Sequence, residues 1–469
     1  MTLHSDPEVV RVLTLHTVRV GRYGYYVEDL VPGRAEGGGI GGEPPGRWHG
    51  PGAAALGLEG DVTTEQFSRL MTGVHPEGDR PLGADRRRVT VAAYDQTFCA
   101  PKSVSLLHAL ARDEVAAAVA TGHREAVDAA LGYLATRAVG ARRSVEGARQ
   151  VLPTTGPISG VFLHRTSRAL DPHLHAHVVT ANVVEGADGR WSALDGRGLF
   201  AHARAAGSLY HATLRLQLRA RLGVSWEVPS HGMGDVVGVE PGLRQLFSQR
   251  SAAIREHLYR TARPGPGAHR HRSIGAFYAT RPEKDATRSV ESLVPEWRAR
   301  AAEVGYDLSA LGRTIGPRRD EQVAARVDLD RLAEGLDRAR CAGREVTDRD
   351  VVVLVARAAV GGATVGEVEG VTGRLVESLD ATHRLGPARW DEVRRSGLHR
   401  PRLDAGRLGD VVRRSGDDLV RDLPDDGRAI SRGDRIGKDA GREAARVRDP
   451  SRAGVDLVRT RAVDRGWER

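Results

Sequence analysis

Between residues 164 and 177 the chain reads His164-Arg-Thr-Ser-Arg168-Ala-Leu-Asp171-Pro172-His173-Leu-His175-Ala-His177, four of the protein's 18 histidines in one short stretch. Imidazole is the commonest metal ligand, and three convergent neutral rings suit a borderline divalent ion. His175 and His177 stand two residues apart and run into Val178-Val179-Thr180, a β-favouring sequence. Alternation then places both rings on one face of a strand. Alternation alone names His173 as the third ring. The chain is therefore expected to build a sheet with a metal site on one face.

Composition narrows the class without deciding the chemistry. At 469 residues the chain has room for two or three domains. No run approaches the ~18 apolar residues of a membrane span, and the N-terminus lacks the apolar stretch of a signal peptide. Cys99 and Cys341 are the only cysteines, which excludes both a disulfide framework and a thiolate zinc knuckle. A cytoplasmic protein without membrane insertion is expected. The net charge of +9 suits a polyanionic partner. Lysine occurs only at 102, 284 and 438, so the positive charge is almost entirely arginine. With so much Ala, Gly and Val, that bias also fits a compositional habit, and charge alone does not establish DNA binding.

The pattern along the chain divides it. A Gly/Pro-rich stretch from Gly37 to Gly57 reads as loop. Helical spacing appears over Asp113–Arg143 and Phe200–Leu222. Two β-type runs within Gly160–Leu194 break at Asp171-Pro172, with a turn at Gly186-Ala-Asp-Gly189. Short helices are expected at Leu332–Arg340, Asp348–Val360 and Thr364–Leu379. Beyond residue 400 nearly half the residues are charged and no aromatic precedes Trp467, so a disordered or loosely helical tail is expected. The expected domains are 1–325, a short helical remnant over 326–399, and the tail over 400–469.

Two further motifs carry chemistry. Tyr25-Tyr26, with Tyr23 before them, lie in a polar, glycine-punctuated segment, Gly21-Arg-Tyr-Gly-Tyr-Tyr-Val-Glu-Asp. A phenol can attack a phosphodiester if a base or metal assists it, and swapping one ester for another leaves the strand able to rejoin. The second motif is Asp95-Gln-Thr-Phe-Cys-Ala-Pro101-Lys102-Ser103-Val-Ser105, a strand entering a turn and then a helix. Asp95 is its only carboxylate and can orient a histidine or take a proton from the nucleophile. Lys102 and Ser103, near a helix N-terminus, are candidates for holding a phosphate. Arg168 is a further candidate DNA contact, as are the arginines of Arg204–Arg221 and His269-Arg-His-Arg272.

Together, Tyr25-Tyr26, the Asp95–Ser105 block and His164…Asp171-Pro172…His175-Ala-His177 resemble the conjugative relaxases of the MOB-F (TrwC/TraI) type, within the His-hydrophobic-His endonucleases. Ser208-Leu-Tyr-His, Arg219–Trp226 and Thr280-Arg-Pro-Glu-Lys284-Asp add to the likeness, which covers roughly residues 10–320. The resemblance implies an α/β fold, a two-layer palm of antiparallel sheet with a helical cover that clamps single-stranded DNA. It implies nicking of one strand beside an origin hairpin, with the 5′ phosphate kept on a tyrosine. Tyr25 then aligns with the catalytic tyrosine, Asp95 with its assisting acid, and His164, His175 and His177 with three ligands of a divalent ion (Mg2+, Mn2+ or Zn2+). This ligand set replaces His173 by His164, from a neighbouring strand. Pro172 breaks the run at its start, and rings facing one another from two strands converge better than three along one. His173 is left as a DNA contact or an exposed neighbour.

The sequence departs from the family in two places. Many relatives carry a second tyrosine pair about a dozen residues after the first, where this chain has Gly37-Gly38. The phosphate-binding loop of the helicase that often follows the relaxase is absent, so no nucleotide cofactor is expected. The chain reads as a stand-alone relaxase or a truncated relic, with accessory origin-binding and coupling proteins as further partners. Two other readings remain: a decayed relaxase that binds origin DNA without cutting, and a metal-dependent hydrolase that attacks with water.

Overall fold

The computed structural model describes residues 13–24, 26, 43–83, 89–145, 148–229, 232–261, 275–277, 279–282, 288–316, 327–343, 346–381 and 403–420. Its centre is a five-stranded sheet in the order β1-β3-β7-β6-β2, antiparallel at every junction. The strands are β1 (Leu13–Arg19), β2 (Arg47–His49), β3 (Val91–Cys99), β6 (Ser159–Thr166) and β7 (Pro172–Ala181). Two-residue periodicity divides them between two cores. Val18, Ala93, Phe162, Val179 and Ala181 point to one face, where they pack with Trp48, Phe67, Leu70 and Met71. Phe67 and Leu70 lie on helix α2 (Thr64–Thr72), which follows the short α1 (Pro51–Ala55). Tyr94, Phe98, Val161, Ala176 and Val178 point to the other face and join the larger core.

Helices α3 (Lys102–Leu110), α4 (Asp113–Arg137) and α5 (Gly196–Leu222) supply that larger core through residues such as Leu106, Val119, Leu131, Tyr210 and Leu214. The helix expected over Asp113–Arg143 stops at Arg137. Ala141–Val145 is instead strand β4, paired with β5 (Ala148–Leu152) in a separate hairpin. The expected turn at Gly186–Gly189 lies between the short strands β8 (Val184–Glu185) and β9 (Trp191–Ser192). Helices α4 and α5 approach closely because Gly122 has no side chain; a Cβ there would meet Leu218 at 2.9 Å. Two buried tyrosine–histidine pairs set their register, His123 with Tyr210 and Tyr133 with His202, both at 2.8 Å.

Beyond α5 the chain adds α6 (Pro241–Leu246), α7 (Gln249–Arg260), α8 (Val290–Glu303) and α9 (Ala310–Arg313). An outer helical layer follows: α10 (Leu329–Cys341), α11 (Asp348–Ala358), α12 (Val365–Ala381) and α13 (Ala405–Val420). The three helices expected between 332 and 379 correspond to α10, α11 and α12. The expected tail begins differently: Leu408, Val412 and Leu419 are buried along one side of α13. Average charge over 400–469 concealed this apolar stripe, and residues 421–469 lie outside the described residues.

The outer layer is seated on α5 by a buried cation. Arg215 donates from Nη2 to the carbonyls of Ala356 (2.8 Å) and Ala359 (3.0 Å), where α11 ends and its carbonyls lack helical partners. Burial lowers the Arg215 pKa to about 9. Beside it Gly362 has φ +96°, and a Cβ there would come within 2.1 Å of the Leu216 amide nitrogen. Gly362→Ala is therefore expected to cost at least about 2 kcal/mol of stability, since strain and backbone collision add. Gly373→Ala, mid-helix in α12 with open space around it, should instead gain up to about 1 kcal/mol. Urea denaturation of the two variants beside the parent measures both.

Candidate metal centre and active site

Three adjacent strands bring the site together. In β7, His175 and His177 project to the same face as Val179; β6 lies on one side and β3 on the other. The register sets His164 opposite His175, and Thr97 opposite His177. Asp95, two residues before Thr97, shares that face. One nitrogen from each of His164, His175 and His177 lies within 4.8 Å of the others, the only such His/Cys/Asp/Glu grouping among the described residues. The rings pack edge to face, with centroids 5.2–5.4 Å apart.

Hydrogen bonds fix which nitrogen of each β7 ring faces inward. His175 Nδ1 lies 2.9 Å from the His173 carbonyl, which can only accept, so Nδ1 carries the proton and Nε2 a lone pair. Burial, reinforced by the neighbouring His177, lowers the His175 pKa to about 3 and keeps the ring neutral. His177 Nδ1 sits 3.0 and 3.1 Å from the two oxygens of Asp95, with Thr97 Oγ1 at 3.3 Å. A carboxylate beside that nitrogen again selects Nδ1–H and leaves Nε2 to coordinate, the usual second layer of a histidine metal site. Burial alone would raise the Asp95 pKa, but the adjoining His177 and the hydrogen bond from Tyr26 outweigh it and hold it below the usual carboxylate value.

The phenol reaches this carboxylate. Tyr26 donates its hydroxyl to Asp95 Oδ2 at 3.1 Å, so a continuous chain runs from Tyr26 through Asp95 to His177. Tyr25, to which the resemblance assigns the attack, lies outside the described residues, as do Gly37-Gly38 and His269-Arg-His-Arg272. His173 stacks on His175 at 4.7 Å, and its carbonyl orients that ring. It is thus a neighbour that acts through its backbone.

Lys102 and Ser103, the candidates for holding a phosphate, both make hydrogen bonds within the protein. Lys102 donates from Nζ to the Pro172 carbonyl at 2.6 Å, tying α3 to the first residue of β7. Burial lowers its pKa to about 8. The Ser103 amide donates to Asp235 Oδ1 (3.1 Å) and its hydroxyl accepts from the Val236 amide (2.9 Å). The Ser103 amide at the start of α3 is therefore satisfied from within the protein. Arg168 lies half-buried in the turn between β6 and β7. With Arg281 it contributes to lowering the pKa of Arg250, after burial, so three guanidinium groups cluster beside the entry to β7.

The turn that launches β7 depends on residues that sequence spacing did not identify. Leu170 is the one non-glycine residue with positive φ among those described (57°), and its carbonyl accepts from Trp297 Nε1 at 2.8 Å. The buried Asp171 carboxylate accepts from the Gln249 amide and side chain, both 2.8 Å, and from Arg300 at 2.7 Å. These partners come from α7 and α8, far along the chain, so no local pattern marks them. His16 was also missed: it pairs in register with Asp95 across β1 and β3 and helps lower its pKa.

With the geometry established, known proteins place it. The family model of the TrwC relaxase matches residues 14–304. The chain belongs to the TrwC relaxase family. Among curated relatives of this family, the multifunctional conjugation protein TraI of Escherichia coli is 33% identical over 275 residues, 56% of this chain and 15% of that protein. The corresponding protein of strain K12 is 32% identical over 288 residues. The chain thus spans about 15% of the length of these relatives. A solved structure of the conjugative relaxase TrwC with OriT DNA, metal-free, is 28% identical at a TM-score of 0.56; the match covers 63% of this chain and 99% of that one. Its metal-bound counterpart gives 29% and 0.56 over the same shares.

Within this relaxase fold, the Asp171 turn sets the start of the histidine strand. Asp171→Ala is expected to lower stability by about 2–4 kcal/mol, because it leaves Arg300 and the Gln249 donors without their acceptor. Thermal or urea unfolding, compared with an exposed control such as Asp79→Ala, checks this.

Proposed function

We propose that the chain nicks one strand of DNA at a transfer origin by tyrosine transesterification, in conjugative transfer. The observation that carries the proposal is the unbroken contact from the Tyr26 phenol through Asp95 to the three-histidine cluster. Solved relatives of the family hold OriT DNA, with and without metal, which supports the same class of substrate here. Single-stranded DNA with an origin hairpin is the proposed partner, in the cytoplasm, alongside accessory origin-binding and coupling proteins.

His164, His175 and His177 fit a divalent ion, because the rings converge, His175 is neutral, and both β7 rings have committed Nδ1 to a hydrogen bond. A divalent ion held there would polarise the scissile phosphate and offset the charge that builds on it during attack. The protein's own groups do the rest. The Tyr25-Tyr26 pair supplies the phenol, and Asp95, kept ionised by its neighbours, aligns it and accepts its proton. A new oxygen–phosphorus bond forms to the phenol, the bond to the 3′ oxygen breaks, and that oxygen takes the proton as it leaves. The 5′ phosphate stays on the tyrosine. Rejoining runs the same steps backwards.

The reading predicts a denaturant-stable adduct between the protein, supplied with divalent metal, and an oligonucleotide that spans its nick site. The Tyr25→Phe/Tyr26→Phe double variant should form none, and the single variants assign the attack to one phenol. An adduct that survives the double change would contradict the proposal. Free 5′ phosphate without an adduct would point to water as the nucleophile.

Ligand identity has its own expectation. His164→Ala, His175→Ala and His177→Ala should each weaken metal binding, followed by calorimetry, by more than about 100-fold. His173→Ala, which keeps its carbonyl, should stay within about tenfold of the parent.

A further inference from the structure

The edge strand β1 opens a pocket of ≈ 430 Å³ beside the phenol, lined by Thr17, Val18, Arg19, Arg22 and Tyr26. Its shape comes from the backbone. Val18 pairs with Ala93 and Arg19 with Val91, so Ala92 is bulged out and the end of β1 is turned away from regular alternation. The Arg22 amide then closes a tight turn on the Arg19 carbonyl at 3.0 Å, and Gly21 supplies the left-handed conformation at φ +77°. The Val20 amide holds this turn to the Thr90 carbonyl at 3.1 Å. Bulge and turn bring both arginines to one opening.

Charge distinguishes these arginines from others near the site. Arg165 is paired with Glu43 and Glu291, Arg300 with Asp171, and Arg47 with Asp128. Among the described residues neither Arg19 nor Arg22 has a carboxylate partner. They leave two exposed positive charges on a pocket of ligand-binding size, with an aromatic ring as one wall and a hydroxyl at Thr17. Phosphate for the guanidinium groups and a base against the ring describe a nucleotide of single-stranded DNA.

We propose that this pocket seats the nucleotide on the 3′ side of the scissile phosphate, whose 5′ phosphate the tyrosine carries after cleavage. The inference rests on the proposed transesterification. There the nucleotide bonded to the phenol must lie within one residue of it, and Tyr26 is itself a wall of the pocket. Arg19 and Arg22 then engage the next phosphate along the strand. The covalently held end stays beside Asp95, ready for the reverse step, while the hairpin and the 5′ side of the strand bind elsewhere.

The test compares two oligonucleotides from the chain's mapped origin strand, both with the hairpin: one ends at the nick and the other runs three nucleotides further. Binding is read by fluorescence anisotropy with chelator present, so that no cleavage occurs. The parent should bind the longer strand at least about fivefold more tightly, with a steeper salt dependence of about 0.7 in log–log slope per added phosphate contact. In Arg19→Ser/Arg22→Ser the gain should fall below about twofold, while Arg19→Lys/Arg22→Lys retains most of it. Equal gain from the extension in parent and serine variant would overturn the subsite, as would an equal loss on both oligonucleotides. Adduct formation by the parent with metal is measured in parallel. Its absence would overturn the underlying reaction, independently of how the arginine variants behave.

Discussion

The hydrogen bond between Asp95 and His177 is the contact on which the rest of the site depends. It joins the strand that carries the acid to the strand that carries two of the three converging histidines. It also fixes the His177 proton on Nδ1. The same carboxylate receives the Tyr26 hydroxyl, so one buried group serves the metal side and the nucleophile side together. Burying an acid is costly unless its lone pairs are satisfied, and here donors on both sides satisfy it. The site is therefore built into the centre of a sheet, where strand register places Asp95 and the histidines without reliance on loops.

Much of the fold around this centre serves to hold β7 in place. On one side Lys102 fastens Pro172 to α3; on the other, Gln249, Trp297 and Arg300 fasten the Leu170-Asp171 turn to α7 and α8. The two faces of the sheet divide the work. The face with the smaller core bears the histidines and Asp95. The other face rests on α3, α4 and α5, and the outer helices add a layer behind these through Arg215 and Gly362. Helices α10–α13 thus lie on the side of the sheet away from the histidines and brace α5.

Local chemistry was legible in the sequence wherever period and residue type coincided. The alternation of His175 and His177, the break at Pro172, the strand through Asp95 and the helix after Pro101 all appear where the pattern put them. Two-residue periodicity also favoured His173 as the third ring, and here strand pairing overrides it. His164 gains its place from being opposite His175 across β6 and β7, a relation that no spacing within one strand can show. Lys102 and Ser103 illustrate the converse. A helix N-terminus with a lysine and a serine suits a phosphate, but the partners the fold gives them, Pro172, Asp235 and Val236, are between 70 and 133 residues distant, and no local pattern marks them. The apolar stripe of α13 was hidden for a different reason: averaging charge over seventy residues obscures a sixteen-residue helix.

The tautomers of the two β7 histidines provide the most direct test of this account. Long-range proton–nitrogen NMR on histidine-labelled, metal-free protein at neutral pH reads them without reference to activity. His175 should appear with the proton on Nδ1 and an unprotonated Nε2, His177 should carry a proton on Nδ1, and Asp95→Asn should disturb His177 while sparing His175. A neutral His177 ring with its proton on Nε2 and none on Nδ1 would contradict the central claim, since it would turn a donor, in place of a lone pair, toward the metal.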